Sequence, residues 1–320
     1  MKYFITGGAG FIGSNLADRL LKGGHQVVVY DNFSTGHIFF IEHNLKKQNY
    51  HLIKADLLDF DTLNIKIAEE KPDFIFHFAA NADVRYGTEN TKRDLDQNTI
   101  ATYNILEAMH RHGVNKIAFS STGSIYGEPE LFPTPEDAPF PVQTSFYGAS
   151  KLAGEGLIQA FSSGFDIQAW IFRFVSILGE RYTHGHVFDF YKSLLKNPKK
   201  LLILGNGKQR KSYLYIQDCL DAMLLAIEKA GNKVNIFNLG TEEYVDVDYS
   251  VDVITQHLGL NPVREYTGEE RGWTGDSPFI FLDISKLKAL GFIPKVTIKE
   301  AIVKTLEYLV NNKFLIFEKV

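Results

Sequence analysis

The chain has 320 residues, of which 45% are apolar and 22% charged, and its formal net charge is −4. This length favours one large α/β domain with a smaller second domain, and the charge argues against general nucleic-acid binding. The single cysteine, Cys219, excludes a disulfide framework and a cysteine metal cluster. No apolar run reaches about 18 residues, so we predict no signal peptide, no membrane span and a cytoplasmic location.

The N-terminal residues combine a strand, a glycine-rich turn and a helix. Residues 3–5 form a short apolar run, Gly7, Gly10 and Gly13 follow, and residues 14–21 place apolar side chains at helical spacing. Glycines allow a sharp turn and a close approach of ligand, and a helix N-terminus offers free N–H groups to a phosphate. The spacing Gly-x-x-Gly-x-x-Gly is not the commonest one, so a simple turn stays an alternative for this motif alone.

Four further apolar runs predict buried strands at residues 26–30, 51–55, 74–78 and 117–119. Helical patterns such as residues 98–112 separate them. This alternation predicts an α/β fold with a doubly wound parallel sheet of the Rossmann type, which binds ligands at the carboxyl ends of its strands. His77 lies inside one of these strands, and we interpret it as a core histidine.

Asp31 ends the second strand, 24 residues after Gly7. A carboxylate at this point can accept hydrogen bonds from a ribose 2′-hydroxyl and would repel a 2′-phosphate, which favours NAD over NADP. The alternative is that Asp31 caps a turn before Asn32.

The strongest chemical signal is the pair Tyr147 and Lys151, at the start of a helical pattern that runs to about residue 161. Positions i and i+4 share a helix face, so an ammonium close to the phenol should lower the tyrosine pKa toward neutrality. Such a tyrosine is a general acid/base for a hydroxyl that is being oxidised. Tyr-x-x-x-Lys is common by chance, but here it follows the hydroxyl-rich strand end at Thr122 by 25 residues.

Together these motifs resemble the extended short-chain dehydrogenase/reductase family, and within it the NAD-dependent sugar-nucleotide epimerases of the UDP-glucose 4-epimerase type. The resemblance follows the chain in order, through residues 7–13, 31–32, 56–57, 77–80, 98, 120–127, 147–151, 204–218, 237–240 and 275–276. It implies oxidation of the sugar at C4 with NAD as the hydride acceptor, rotation of the 4-keto sugar and return of the hydride to its other face.

The resemblance also implies the residues of the catalytic and cofactor sites. The catalytic residues would be Thr122, Tyr147 and Lys151, with Thr122 on the 4-hydroxyl of the sugar. The implied NAD contacts are Gly7, Gly10, Phe11, Ile12, Gly13, Asp31, Asn32, Asp56, Leu57, Phe78, Ala79, Ala80, Asn98, Tyr147, Lys151 and Phe174. Asp56 and Leu57 would lie at the adenine, residues 78–80 under the pyrophosphate and ribose, and Asn98 and Phe174 on the nicotinamide side.

For the nucleotide-sugar, the resemblance implies a second set of contacts. These are Thr122, Ser124, Ser176, His186, Val187, Leu202, Leu204, Lys211, Arg271 and Asp276. Lys211 would contact the diphosphate, alone or shared with Arg210, and Asp276 the ribose, while Leu202 and Leu204 would flank the uracil. Residues 181–190 would cover the ligand, with core packing as the alternative for Phe188 and Tyr191.

Several positions depart from the family pattern. Ser176 stands in place of an asparagine, Ala82 in place of a lysine, and Trp273 in place of a second phosphate-binding arginine, a role that Arg271 could take. Ile280 leaves UDP-glucose and UDP-N-acetylglucosamine as open alternatives.

The predicted reaction is 4-epimerisation of UDP-hexoses, with a 4,6-dehydratase or a 4-keto reductase as the alternative. Related dehydratases and decarboxylases place an acidic residue directly after the threonine, but this chain has Gly123 and Ser124 there. Glu128 is the nearby carboxylate, and we interpret it as a turn residue. A dinucleotide sensor without catalysis is a third possibility, against which the intact catalytic trio argues.

We predict an NAD-binding domain at residues 1–178, to which a strand near 235–240 returns, and a nucleotide-sugar domain at residues 179–320. The sequence Thr297-Ile-Lys-Glu300 predicts a capping box at a late helix. The resemblance implies a homodimer, packed through the helix after Asn98 and the helix of Tyr147, and a place in galactose metabolism. We predict no metal, nucleic-acid or membrane partner.

Overall fold

The computed structural model describes residues 1–81, 86–140, 142–273 and 276–317. Two residues used above, Ala82 and Gly275, lie outside these ranges.

The chain alternates strands and helices as predicted. The strands are β1 (Lys2–Thr6), β2 (Gln26–Asp31), β3 (Tyr50–Lys54), β4 (Phe74–His77), β5 (Lys116–Thr122), β6 (Gln168–Phe174), β7 (Ser176–Leu178), β8 (Lys200–Ile203), β9 (Arg210–Lys211), β10 (Tyr213–Tyr215), β11 (Val234–Leu239), β12 (Val245–Asp246), β13 (Val263–Tyr266) and β14 (Phe279–Ile280). The helices are α1 (Phe11–Lys22), α2 (Phe60–Glu70), α3 (Tyr86–Glu89), α4 (Thr91–Asp94), α5 (Ala101–His112), α6 (Phe146–Phe165), α7 (His186–Lys196), α8 (Ile216–Lys229), α9 (Val247–Leu258), α10 (Ser285–Ala289), α11 (Ile298–Asn311) and α12 (Phe314–Phe317).

Seven parallel strands form the large sheet, in the order β11-β6-β5-β4-β1-β2-β3. The order 3-2-1-4-5-6 of its first six strands is that of the Rossmann fold, so the predicted fold class is confirmed. Alternate residues of β2 enter two apolar clusters: Val27 and Val29 in one, Val28 and Tyr30 in the other. The sheet is therefore covered on both faces, which is why its strands read as nearly continuous apolar runs.

The strand near residues 235–240 is β11, which pairs in parallel with β6 from Val234↔Ala169 to Leu239↔Phe174. The chain thus returns to the large sheet after β7–β10. Three small sheets lie outside it: β10-β7, β12-β9-β14 and β13-β8. The division at residues 178 and 179 stays a prediction.

Helix α11 closes the C-terminal part of the fold. The Thr297 hydroxyl accepts a hydrogen bond from the Glu300 amide at 3.3 Å, and the Glu300 carboxylate accepts one from the Thr297 amide at 2.9 Å. This reciprocal pair is the predicted capping box, and it satisfies N–H groups at the helix start. Its buried face carries Ile302, Leu306 and Leu309. None of the helices within the described ranges is long and apolar enough to cross a membrane.

Candidate active site

The glycine turn between β1 and α1 is a close-packed backbone cradle. Gly7 has φ of +68°, and a Cβ at this residue would lie 2.7 Å from the amide nitrogen of Ala79. A Cβ at Gly13 would overlap the carbonyl oxygen of Gly7. Gly10 immediately precedes α1, so the free N–H groups of that helix open onto the turn. Glycine is therefore required at residues 7 and 13 for backbone reasons.

Asp31 holds this turn from the end of β2. One carboxylate oxygen accepts a hydrogen bond from the Ala9 amide at 2.9 Å, and the other accepts one from the Phe33 amide at 2.8 Å. The carboxyl is 8% exposed, and burial raises its pKa. The turn-capping alternative is thus realised. Each oxygen keeps a second lone pair for another donor, so ribose binding stays a prediction.

Asp56 and Leu57, expected at the adenine, differ in what they can offer. The Asp56 carboxylate accepts a hydrogen bond from the Asn32 side chain at 2.9 Å, which ties together the ends of β2 and β3. The Leu57 side chain is 5% exposed and packs in the core beneath the sheet. Only the backbone of Leu57 is therefore in a position to meet a ligand.

The end of β4 lies directly against the glycine turn. The Thr6 hydroxyl accepts hydrogen bonds from the amides of Phe78 and Ala79, both at 3.2 Å. The Thr6 hydroxyl also meets His77 Nδ1 at 2.8 Å, and the Thr102 hydroxyl meets His77 Nε2 at 2.9 Å. His77 is fully buried, and its pKa is lowered to about 3, mainly by burial. It is the core histidine that the sequence indicates.

Thr122 and Tyr147 face each other at the carboxyl edge of the large sheet. Thr122 ends β5, and its hydroxyl accepts a hydrogen bond from the Ser124 amide at 3.1 Å and donates to the Ser124 hydroxyl at 3.3 Å. Tyr147 is the second residue of α6, which Ser145 caps through the Gly148 amide at 3.0 Å. A side-chain hydrogen bond joins the Tyr147 phenol to Thr122.

Lys151 lies one helical turn after Tyr147 and is 2% exposed. Its Nζ donates to the Ser120 carbonyl at 2.8 Å and lies 4.7 Å from the centre of the Phe119 ring. Burial lowers the pKa of this lysine to about 7, although the carboxylates of Asp94 and Glu155 oppose the shift.

The expected direction of the Tyr147 pKa shift is wrong for the polypeptide itself. Burial raises the pKa of Tyr147 to about 12, the hydrogen bond to Thr122 lowers it, and the charge of Asp94 raises it. The neighbouring Lys151 is not among the causes of this shift, and burial lowers its own pKa to about 7. The phenol therefore keeps its proton unless a further positive charge comes close.

Asn98 lies inside a π-helical turn, Leu95–Ile100, between α4 and α5. It is 1% exposed, and its side-chain oxygen accepts a hydrogen bond from the Asn81 amide at 2.8 Å. Its Nδ2 donates to the Ser150 hydroxyl at 2.9 Å. Asn98 thus joins the end of β4 to the catalytic helix α6, on the side of Tyr147. Phe174, the other residue expected near the nicotinamide, ends β6 and is 9% exposed.

A buried ion pair behind the catalytic edge is a feature that the sequence analysis missed. Glu155, fully buried, accepts hydrogen bonds from Arg173 Nε at 3.0 Å, from Arg173 Nη2 at 2.8 Å and from the Ser121 hydroxyl at 2.5 Å. Arg173 also donates to the Tyr126 hydroxyl at 2.7 Å. This network fixes α6 against β5 and β6. The only sequence signal for it is one arginine and one glutamate within apolar segments.

The structure brings three of the predicted substrate contacts together at β9 and the loop before β14. Lys211 Nζ lies 2.5 Å from the Asp276 carboxylate, and the two side chains are 15% and 3% exposed. Arg271 donates to the backbone carbonyl of Asp276 at 3.1 Å and forms an ion pair with Glu128. Glu128 is therefore an ion-pair partner and not simply a turn residue. Trp273 presents its ring 5.6 Å from Lys211 Nζ.

His186 and Val187 begin α7 beside this cluster. His186 Nε2 is buried, and no described residue forms a hydrogen bond with it. Burial and the charge of Lys211 lower the pKa of His186 to about 3. Val187 is fully buried. The rings of Phe188 and Tyr191 are 8% and 2% exposed, so both pack in the core, as the alternative interpretation of these two residues expected. The Val187 side chain points into the core, and only its backbone could contact a ligand.

The remaining predicted contacts are more open. Leu202 and Leu204 are 54% and 42% exposed, and Ser176 is exposed as well. A Cβ at Gly272 would lie 3.7 Å from the Leu204 Cβ, which places Leu204 beside the loop of Asp276.

The loop before α7 is anchored on the helix that follows the glycine turn. Arg181, whose φ is +73°, forms an ion pair with Asp18 of α1 at 2.5 Å. Asn15 of the same helix donates to the Glu180 carbonyl at 3.2 Å. The predicted ligand-covering segment is thus tied to the cofactor side of the fold, a connection that the sequence analysis did not include.

The comparison with protein families decides the assignment. The model of the NAD dependent epimerase/dehydratase family matches residues 3–240. The chain belongs to this family. Its predicted family, its NAD dependence and its class as an epimerase-like enzyme are thereby confirmed.

Individual relatives of the family span nearly the whole chain. A putative UDP-glucose 4-epimerase of Methanocaldococcus jannaschii is 33% identical over 96% of this chain and 98% of the relative. A UDP-glucose 4-epimerase of Thermotoga maritima with UDP-glucose superimposes with a TM-score of 0.88 at 30% identity, over 98% of this chain and 100% of that one. A UDP-glucuronic acid 4-epimerase of Bacillus cereus, in complex with UDP-glucuronic acid and NAD, superimposes with a TM-score of 0.89 at 27% identity over the same shares.

Proposed function

We propose that the chain is an NAD-dependent 4-epimerase of UDP-hexoses, UDP-glucose and UDP-galactose first, acting through a transient 4-keto sugar. One observation carries the proposal: Thr122, Tyr147 and Lys151 converge at the carboxyl edge of the sheet that also carries the glycine turn, in a chain of this family. The UDP-sugar names of its relatives support the substrate class.

The backbone of the glycine turn fits an NAD pyrophosphate. Gly7 and Gly13 leave room that a Cβ would fill, and the start of α1 offers N–H groups to a phosphate. Ala79 and Asp31 border the same turn, so we place the dinucleotide across them, with Asp31 toward the ribose. Bound NAD⁺ supplies the hydride acceptor and a positively charged ring that lowers the pKa of a nearby phenol.

Tyr147 then exchanges the proton of the sugar 4-hydroxyl. Its phenol and the Thr122 hydroxyl share a hydrogen bond, so a sugar hydroxyl that reaches both can pass its proton to the tyrosine oxygen. When Lys151 carries its proton, its ammonium, held by the Ser120 carbonyl, adds to the positive charge of the nicotinamide ring that favours the phenolate form. Reversal of the same exchange returns the proton after the keto sugar has rotated.

The surroundings of Gly123 support epimerisation over dehydration. A Cβ at this residue would lie 3.2 Å from Ile280 Cγ2 and 3.3 Å from Leu282 Cδ1, so a carboxylate side chain does not fit there without displacement. Glu128, the nearby carboxylate, is paired with Arg271. A carboxylate that could act as the base for removal of the C5 proton is thus missing from Gly123 and Ser124, the two positions after Thr122.

On the substrate side, we assign Lys211 to the diphosphate and Asp276 to the nucleoside ribose. The partly buried ammonium of Lys211 and the buried carboxylate of Asp276 form an ion pair with each other at 2.5 Å. A diphosphate would offer Lys211 an alternative anion, and ribose hydroxyls would offer Asp276 alternative donors. The buried Nε2 of His186, which no described residue pairs with and on which the charge of Lys211 acts, is a further polar group that a phosphate or a sugar hydroxyl could satisfy.

The outer faces of α5 and α6 support the predicted homodimer. Tyr103 and Phe165 are 43% and 48% exposed. Tyr103 packs edge-on against Phe161 at 6.2 Å, and Phe165 packs on His110 at 3.9 Å, which makes a continuous aromatic surface across the two helices. Sedimentation of the wild type at twice the chain mass, and of Phe165→Asp at the single mass, is the expected result. The cytoplasmic location and the link to galactose metabolism stay predictions.

The test of the function uses purified protein, UDP-galactose and no added NAD. We expect UDP-glucose as the product by proton NMR, and a decrease of about 100-fold to 10,000-fold in kcat for Tyr147→Phe. Tyr249→Phe, which removes an exposed phenol on α9, is the matched control and should leave kcat unchanged. A 4-keto-6-deoxy product, or full activity of Tyr147→Phe, would overturn the proposal.

A further inference from the structure

Asp94 is a buried carboxylate beside the catalytic helix, and the function proposed above does not use it. It ends α4 and is 1% exposed. Its Oδ1 accepts hydrogen bonds from Asn81 Nδ2 at 2.8 Å and from Asn98 Nδ2 at 3.2 Å. Its Oδ2 is equally buried, and no hydrogen-bond partner reaches it from the described part of the chain. A carboxylate oxygen left in this way is costly, so its presence calls for a role.

The surrounding backbone is built tightly around this oxygen. A Cβ at Gly87 would overlap Asp94 Oδ2 and lie 3.3 Å from the Phe146 Cβ. Residue 87 is therefore a glycine that lets α3 pack directly on the carboxylate and on the start of α6.

A continuous path of hydrogen bonds leads from Asp94 to the catalytic turn. Asn98 Nδ2, which faces Asp94 Oδ1, also donates to the Ser150 hydroxyl at 2.9 Å. The Ser150 hydroxyl in turn donates to the Tyr147 carbonyl at 2.8 Å. These contacts connect Asp94, through the side chains of Asn98 and Ser150, to the first two turns of α6, which carry Tyr147 and Lys151.

The charges near Lys151 show which carboxylate can act on it. Glu155, on the same helix, is held by the two-point ion pair with Arg173. His77 faces the lysine from β4 and is neutral, with a pKa of about 3. The charge of Asp94, on α4, also acts on Lys151, and no described residue forms a hydrogen-bonded ion pair with this carboxylate. Burial raises the pKa of Asp94, whereas the charges of Arg93 and Lys151 lower it. Of the two carboxylates that act on Lys151, Asp94 is therefore the one that no described cation holds in an ion pair.

We propose that Asp94 is a positioning residue of the active site: it orients the Tyr147–Lys151 turn through Asn98 and Ser150, and its charge keeps Lys151 in the ammonium form. The proposal rests on the proposed 4-epimerase function. Removal of the charge should make Lys151 lose its proton at a lower pH, because a nearby anion favours the charged form of a lysine. Because the pKa of Lys151 is about 7, a further decrease of this pKa lowers the fraction of the lysine that is charged at neutral pH.

The first experiment compares Asp94→Asn with Asp96→Asn. Asp96 lies two residues further along and pairs at 2.6 Å with the exposed Lys92, so its variant removes one charge from the same segment without touching the path. We expect Asp94→Asn to lower kcat/KM for UDP-galactose about 10-fold at neutral pH, and to move the loss of activity at high pH downward by about 1 pH unit. Asp96→Asn should match the wild type. If activity in Asp94→Asn is lost at the same high pH as in the wild type, the electrostatic role of Asp94 is overturned.

A second variant separates orientation from charge. Ser150→Ala breaks the path at its last side chain and keeps the carboxylate. We expect it to lower kcat several-fold while the pH profile stays where it is in the wild type. Wild-type kcat in Ser150→Ala would overturn the orienting role.

A third measurement needs no turnover, so it separates this proposal from the proposed function. In protein labelled with carbon-13 lysine, the Lys151 signal is assigned by its loss in Lys151→Met, and its titration is followed by NMR. We expect the signal to titrate at a lower pH in Asp94→Asn than in the wild type and in Asp96→Asn. Identical titration in all three proteins would overturn the proposal, whether or not the wild type turns over UDP-galactose.

Discussion

The catalytic edge of the large sheet and the substrate face around β9 hold their charges in different ways. At the catalytic edge, Lys151 donates to a main-chain carbonyl and Asp31 accepts from two main-chain amides. At the substrate face, Lys211 pairs with Asp276 and Arg271 pairs with Glu128. In the first arrangement the partners are main-chain groups. In the second each cation pairs with a carboxylate side chain that it could exchange for another anion, although Asp276 also accepts from the Gly272 amide at 3.0 Å.

This difference matches the two tasks that we propose. Hydride and proton exchange require atoms held in place before the substrate arrives, because misplacement of reacting groups is costly to the rate. A nucleotide-sugar, in contrast, enters and leaves in every turnover, so its contacts must open and close. Ion pairs between protein side chains keep the buried charges compensated between turnovers.

We call the catalytic edge of the large sheet, with the buried Glu155–Arg173 pair behind it, the fixed half. The strongest test of this half is Glu155→Gln. It leaves the Arg173 guanidinium buried with a neutral partner, and breaking a buried ion pair costs about 3–5 kcal/mol. We expect the free energy of unfolding, measured in urea, to fall by about that amount. Glu107→Gln, which breaks a more exposed pair with Arg111, should change it by less than about 1 kcal/mol. Equal effects of the two variants would mean that the network does not support the catalytic edge.

The substrate face around β9, which we call the exchangeable half, is tested by Lys211→Met. Loss of a charge-assisted contact to the diphosphate, about 1.5–3 kcal/mol, should raise KM for UDP-galactose about 10-fold to 100-fold and leave kcat within about two-fold. Lys208→Met removes a surface lysine from the loop just before β9, where it pairs with Asp248, and should leave both constants unchanged. A fall in kcat without a change in KM would place Lys211 in the chemistry instead.

Asp31→Ala tests whether the fixed half also selects the cofactor. Because a carboxylate favours a ribose 2′-hydroxyl and repels a 2′-phosphate, we expect the affinity for NAD to fall about 10-fold, with a smaller loss or a gain for NADP. Calorimetry on protein freed of dinucleotide measures both affinities. Unchanged affinity for NAD would restrict Asp31 to its observed role of holding the Ala9 and Phe33 amides.

The smallest effect is expected where the two halves meet. Asp18→Asn weakens the ion pair that ties Arg181 to α1, and a partly exposed pair contributes at most about 1 kcal/mol. KM for UDP-galactose should therefore rise by no more than about five-fold. Asp252→Asn breaks a pair with Arg264 of the same length, 2.5 Å, far along the chain, and is expected to leave KM unchanged.

The sequence predicts the fixed half better than the exchangeable half. Local apolar patterns predict six of the seven strands of the large sheet, whereas β6 is not among the predicted strands. The roles of Thr122, which the family resemblance supplied, and of Tyr147 and Lys151 stay predictions. The pairing of Lys211 with Asp276, 65 residues apart, and of Arg271 with Glu128 depends on distances that only the folded chain defines.

Burial explains why the sequence did not predict several features of the site. The pKa of Tyr147 was expected to fall because of the nearby lysine, but burial raises it, and burial also lowers the pKa of Lys151. Leu57 and Val187 match the family motif, yet their side chains fill the core. Asp94 carries no motif of its own, and only its 1% exposure and its contacts with Asn81 and Asn98 reveal it.

The central claim is that one carbon of the sugar is oxidised and then reduced by the same retained dinucleotide. The most direct measurement follows UDP-galactose that carries deuterium at C4, incubated with the purified protein and no added NAD. We predict UDP-glucose that still carries the deuterium at C4, because the hydride that leaves the sugar returns to it. Exchange of that deuterium with solvent, or a 4-keto-6-deoxy product, would contradict the account.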